Sequence, residues 1–182
     1  MIYVGIGANL HHPEFGGPLD TCGAALNSLG KDNIHILGIS RWYRSAPVPT
    51  SDQPDYVNAV VEIETMLNPQ DLMQRLLDLE AQFGRERGEK NAARTLDLDL
   101  LDYNGMIIEK GGIVQLPHPR LHQRPFVLFP LSDIAPQWRH PVTEKAIATM
   151  IDELDGASSI TVIADQKSAF GTVWPVRSPK IA

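Results

Sequence analysis

Apolar positions along the chain follow two rhythms, short β-rich or alternating runs and recurrences at three- and four-residue steps, and the two take turns from one end towards the other. Ile2-Tyr-Val-Gly-Ile6 is a β-rich run that predicts a buried first strand, with Gly7 opening a loop. A helix is predicted over Leu19–Leu29, closed by Gly30. Ile34–Tyr43 predicts a second strand. Three prolines in Ser45-Ala-Pro-Val-Pro-Thr-Ser-Asp-Gln-Pro54 require a loop, and Val57–Glu64 predicts a third strand. The clearest helix follows. Asn68 can cap it, Pro69 fits its first position, Leu72, Leu76, Leu79 and Phe83 form its apolar stripe, and Gly84 stops it. A fourth strand is predicted over Thr95–Leu101. Tyr103-Asn-Gly105 then turns into Met106–Glu109 as a hairpin ended by Gly111-Gly112. Helices are predicted over Phe126–Leu131, behind Pro125, and over Thr143–Leu154. The order βαββαβ, with helices after it, predicts an α+β sheet layered with helices in a single domain. From about Asp165 the pattern fades, so 165–182 reads as an extension to a domain over 1–164.

Composition narrows the function classes. The 182 residues are 43% hydrophobic and 21% charged, as expected of one globular core. Cys22, the single cysteine, has no partner for an intramolecular disulfide. Neither a basic leader nor a membrane-length apolar run is present, so a cytoplasmic protein with no membrane partner is expected. The net charge of -6 argues against general nucleic-acid binding. Locally the sign reverses, because Arg85, Arg87, Lys90 and Arg94 outnumber Glu86 and Glu89 just ahead of the fourth strand.

That strand carries the candidate chemistry. In Arg94-Thr-Leu-Asp-Leu-Asp-Leu-Leu101, alternation sends Leu96, Leu98 and Leu100 to one face and puts Asp97 and Asp99 on the other, roughly 6.5 to 7 Å apart. Two carboxylates at this spacing suit hard cations such as magnesium, which takes one or two carboxylates together with substrate phosphates. On its own the pattern also fits an edge strand with solvated aspartates. The basic stretch favours the metal, since Arg85, Arg87 and Arg94 can neutralise phosphate oxygens with a fork of donors. His118, Arg120 and Arg124 form a second basic group. His118 and His122 have helical zinc spacing, which Pro119 makes a poor zinc reading. Tyr56 and Phe126 can sandwich a flat heterocycle while Asn58 bonds its edge. No Gly-x-x-x-x-Gly-Lys-Ser/Thr is present, which excludes a P-loop enzyme.

Taken together, Tyr3–Leu10, Tyr43-Arg-Ser45, Asp52–Ala59, Arg94–Leu101, Leu116-Pro-His-Pro-Arg120 and Asp133-Ile-Ala-Pro136 resemble the 6-hydroxymethyl-7,8-dihydropterin pyrophosphokinases of folate biosynthesis. The resemblance implies a ferredoxin-like fold and transfer of pyrophosphate from ATP to the pterin hydroxymethyl group, releasing AMP, with two magnesium ions. It implies Asp97 and Asp99 as metal ligands, and Arg85 and Arg94 beside them as catalytic residues. Arg87, Arg94, Leu100, His118 and Arg124 would contact ATP. Ser45, Ala46, Val48, Tyr56, Asn58 and Phe126 would hold the pterin. The implied partners are these two small molecules, and a monomer is expected. Against the family pattern, Asn91-Ala-Ala93 stands where many relatives have an aromatic-Gly-Pro. Leu77 replaces a residue that is often polar, and the loop between Leu10 and Leu19 is longer than usual. Two other classes compete with this one. A non-catalytic pterin- or nucleotide-binding module on the same fold would lack the aspartates or arginines, and an RNA-binding domain would need a basic, aromatic sheet face.

Overall fold

The computed structural model describes residues 1–31, 33–85, 93–109, 112–154 and 160–163. Six antiparallel strands form one sheet: β1 (Ile2–Ala8), β2 (Ile34–Ile39), β3 (Tyr43–Ser45), β4 (Tyr56–Thr65), β5 (Asp97–Tyr103) and β6 (Ile160–Val162). The order is β5-β1-β4-β3-β6, and β2 pairs with the far half of β4. Helices α1 (Pro18–Leu29) and α2 (Pro69–Gln82) cover one face, while α3 (Pro125–Ile134) and α4 (Ile147–Asp152) cover part of the other. The element order follows the predicted βαββαβ with helices after it, except that the second strand is split into β2 and β3 and β6 is added beyond the last helix, within a ferredoxin-like α+β sheet.

Alternation in β1 explains the two cores. Ile2, Val4, Ile6 and Ala8 join Leu26, Leu72, Leu76 and Leu98 under α1 and α2, whereas Tyr3 packs with Leu101, Leu128 and Leu131 under α3. Each fully buried leucine contributes about 1.5–3 kcal/mol. Helix α2 begins as its sequence requires, with Asn68 Oδ1 accepting from the Asp71 N–H at 3.0 Å and Pro69 in the first turn. Gly84, at φ +74°, ends it in the left-handed region that glycine tolerates. Gly30 closes α1 in a right-handed conformation, so that position does not require glycine's freedom.

Four expectations change. Gly7 does not end β1, because it pairs with both Asn58 and Asp97 and the strand runs on to Ala8. The predicted strand over 34–43 divides in two: Ser40 keeps its bonds to Val60, but the Arg41 N–H turns away to Asp133 Oδ2 at 3.1 Å. The Asn104-Gly105 turn forms with both residues at positive φ and the Met106 N–H bonded to the Tyr103 carbonyl. Yet Met106–Glu109 forms no second strand on β5. Part of that edge is taken, since the His118 N–H donates to the Leu101 carbonyl at 2.9 Å, and Ile108 pairs instead with Leu116. The last predicted helix is shorter, beginning only at Ile147 because Glu144, at φ +57°, and the Arg139–Ala146 bridge hold the preceding residues in a turn. Gly111 and Asp165–Ala182 lie outside the described residues.

Candidate active site

Beyond the N-terminal end of α3 the second sheet face is open, and the reason is visible in β1. Gly5 and Gly7 sit where side chains would rise from that face, leaving the floor of an open cleft. A Cβ added to Gly7 would lie 3.0 Å from Asn58 Oδ1, tighter than an ordinary contact. Register sets the walls. Gly5 and Gly7 pair with Asp99 and Asp97 on one side and with Val60 and Asn58 on the other. The acidic strand and the polar strand therefore flank a floor without side chains.

On the acidic side each carboxylate has its own cations. Asp97 Oδ2 lies 2.6 Å from Arg94 Nη1, and its Oδ1 lies 3.0 Å from Arg85 Nη1. Asp99 Oδ2 accepts from Arg124 Nη1 at 2.9 Å and faces His118 Nε2 at 3.8 Å. Leu98, between them, is buried on the opposite face, as alternation predicts. Arg94 is aimed by its own backbone, whose N–H donates to Asn9 Oδ1 at 2.8 Å and whose carbonyl accepts from the Asn9 and Leu10 N–H groups. His118 is aimed by its main-chain bond to Leu101. Its Nδ1 accepts from the Arg120 N–H at 3.3 Å, which leaves the Nε2 proton directed at Asp99. Burial lowers the His118 pKa below the usual histidine value, favouring the neutral ring, although Asp99 pulls the other way.

The other side is built for a flat, polar molecule. Asn58 is buried, and its Nδ2 donates to Ser45 Oγ at 3.0 Å, fixing the amide so that Oδ1 faces the floor. Ala46, Pro47, Val48 and Pro49 form the lip, and the rings of Tyr56 and Phe126 line the same cleft. The Arg124 guanidinium lies over the Phe126 ring, 5.4 Å from its centroid, which links the stacking wall to the cationic one.

The structure thus brings Ser45, Ala46, Val48, Tyr56, Asn58, Arg94, Asp97, Asp99, Arg124 and Phe126 to one cleft, with Arg85 and His118 against its aspartates. The Leu100 side chain is instead buried on the opposite face, packed with the α1 and α2 core. Arg87, Asn91 and Ala92 lie outside the described residues, and Leu77 is half-buried on α2.

Sequence reasoning passed over four contributors. Gly5 and Gly7 form the floor; their two-residue spacing within an apolar strand was the available signal. Asn9 holds Arg94 and also donates Nδ2 to Gln53 Oε1 and the Pro54 carbonyl, tying the acidic side to the loop behind the polar side. Glu80, near the end of α2, is 2% exposed; it accepts from the Leu98 N–H at 2.7 Å and pairs with Arg85, bracing that arginine from behind. Burial pushes its carboxyl up to about 7, with the Leu98 and Arg85 bonds opposing that rise. It sits on the apolar side of α2, where a lone glutamate is hard to distinguish from a surface residue.

Asp97 and Asp99 also fit a hard divalent cation. They offer only oxygen donors, open to the cleft with about a quarter of each side chain exposed, and no cluster of three metal-ligating side chains forms among the described residues. An ion held here would need its remaining ligands from water and phosphate, the arrangement magnesium favours.

Comparison with known proteins agrees with this chemistry. The family model described as 7,8-dihydro-6-hydroxymethylpterin-pyrophosphokinase (HPPK) matches residues 3–136. The 2-amino-4-hydroxy-6-hydroxymethyldihydropteridine pyrophosphokinase of Synechocystis sp. is 40% identical over 153 residues, covering 84% of this chain and 75% of that protein. The protein of the same name from Haemophilus influenzae is 40% identical over 134 residues, covering 73% of this chain and 80% of its own length. Among solved structures, a Plasmodium falciparum HPPK-DHPS mutant superposes with a TM-score of 0.64 at 12% identity, over 84% of this chain and 42% of that one, a likeness of fold. The chain belongs to the 7,8-dihydro-6-hydroxymethylpterin-pyrophosphokinase (HPPK) family.

Proposed function

We propose that this chain transfers the β,γ-pyrophosphoryl group of ATP to the hydroxymethyl oxygen of 6-hydroxymethyl-7,8-dihydropterin, giving the pterin diphosphate and AMP. One observation carries the reading: a glycine floor separates a carboxylate-and-arginine wall from a wall of Asn58, Tyr56 and Phe126. The first wall suits a metal-bound triphosphate and the second a flat heterocycle with a hydrogen-bonding edge. Their separation is one glycine strand, so a nucleophile held on one side can reach a phosphorus held on the other.

Asp97 and Asp99 would hold the two magnesium ions, which supply neutralisation of the charge on the migrating group and its bridging oxygens. Asn58 and the Ser45–Val48 lip orient the pterin, and Tyr56 and Phe126 stack on its faces. Arg85, Arg94, Arg124 and His118 turn from the aspartates to the triphosphate oxygens, with Arg87 joining them. The pterin hydroxyl attacks the β-phosphorus in line. A new O–P bond forms as the bond to the α-phosphate oxygen breaks, AMP leaves, and the hydroxyl proton passes to solvent. Catalysis is then positioning and charge stabilisation, and no strong protein base takes part. The setting is cytoplasmic and the working unit a monomer; no helix among the described residues is long and apolar enough to cross a membrane.

Titration with a non-hydrolysable ATP analogue tests the nucleotide half of the reading. Binding tightens at least about tenfold when magnesium is added and is lost on chelation, as expected when carboxylates and phosphates share the ion. Equal affinity with and without magnesium would contradict it.

A further inference from the structure

The long loop between Leu10 and Leu19 has a place in this site. It closes on itself: the His12 N–H donates to the Gly16 carbonyl at 2.7 Å, the Gly16 N–H returns to the His12 carbonyl at 2.9 Å, and Gly16 sits at φ +90°. His12 Nδ1 accepts from the Glu14 and Phe15 N–H groups at 3.1 and 3.3 Å. The turn therefore presents two rings on a fixed frame. Phe15 stacks on Phe83 with centroids 4.8 Å apart and planes 24° apart, and His12 touches both rings, at 4.7 and 5.9 Å.

Phe83 is where the arginine-bearing stretch leaves α2 and where it returns. Gly84 and Arg85 follow it directly, and Thr95 Oγ1 donates to the Phe83 carbonyl at 2.7 Å. A Cβ on Gly84 would come 4.0 Å from His12 Nε2, so the pivot itself lies under the turn. Asn9 and Leu10, which lead from β1 into this loop, grip the returning end through their bonds to Arg94. Both described ends of the stretch are thus held by one segment of chain, and the two ends carry the arginines on Asp97.

We infer that His12 and Phe15 are positioning residues, acting through Phe83 to fix the direction in which Arg85 enters the cleft. The inference rests on the proposed activity for its kinetic consequence, though not for its structural one. Chemistry that depends on placement is sensitive here, since a shift of about 1 Å can cost on the order of 100-fold in rate.

Two measurements on Phe15→Ala test this. Turnover with magnesium and saturating pterin should show kcat/KM for ATP lowered about tenfold, with KM for the pterin unchanged and Phe15→Tyr restoring most of the loss. In an Arg85→Ala background the same substitution should cost less than about twofold, because its route of action is already gone. Equal losses in both backgrounds would overturn the inference. Amide hydrogen exchange gives an answer without turnover. Exchange at Arg85 should speed up in Phe15→Ala while Val4 and Val61 in the central strands keep their protection. An unchanged rate at Arg85 would refute the inference. Loss of protection at Val4 and Val61 as well would show a general structural role and refute it equally. A wild type without turnover counts against the proposed function alone, and the exchange result still decides the inference.

Discussion

Asp97→Asn and Asp99→Asn each lower kcat by roughly 1,000-fold or more, the scale expected when a preorganised charge is removed from a phosphoryl-transfer site. Asparagine keeps the shape and one carbonyl oxygen but gives up the negative charge that gathers the cations. The two losses act through different neighbours. Asp97→Asn leaves Arg94 without its counter-charge and Arg85 with Glu80 alone, whereas Asp99→Asn removes the counter-charge of Arg124 and the carboxylate that His118 faces. Folding survives in both. The pairs keep about a quarter of each aspartate side chain in solvent, so screening limits the stability lost to about 1 kcal/mol. Steady-state kinetics beside thermal melts check this, and two variants that fold and turn over like the wild type would contradict the assignment.

Arg94→Ala lowers kcat/KM for ATP by about 100- to 1,000-fold and leaves KM for the pterin near the wild-type value. What makes this substitution informative is that the loop does not depend on its side chain. The bonds to Asn9 and Leu10 use the Arg94 N–H and carbonyl, which alanine retains, so the change removes a guanidinium from Asp97 without releasing the chain. Arg94→Lys recovers only part of the loss, because a single ammonium does not reproduce the two-pronged contact of a guanidinium with phosphate. Substrate-varied kinetics on the three proteins measure the effect. Activity within about twofold of wild type in Arg94→Ala would remove this residue from the site.

Much of the cleft is legible in the amino-acid sequence wherever the relevant physics is local. The Asp97/Asp99 face follows from the pleat alone, and the α2 boundaries follow from Asn68, Pro69 and Gly84. The failures are long-range. That β5's edge is taken at Leu101 depends on His118, seventeen positions later and fixed in place by packing. The break at Ser40–Trp42 depends on Asp133, which draws in the Arg41 N–H and side chain and the Tyr43 hydroxyl from 90 or more residues away. Gly7 reads as punctuation because glycine more often ends a strand than lines a floor; its meaning appears only when both neighbouring strands are known. Glu80 is the most hidden contributor, for a buried carboxylate is recognised by its partners, here the Leu98 N–H and Arg85, rather than by its spacing.

The nucleotide left after reaction tests the central claim most directly. With ATP, magnesium and 6-hydroxymethyl-7,8-dihydropterin, the chain is predicted to yield AMP and the pterin diphosphate in equal amounts. ADP as the nucleotide product, release of inorganic phosphate alone, or no turnover would contradict it.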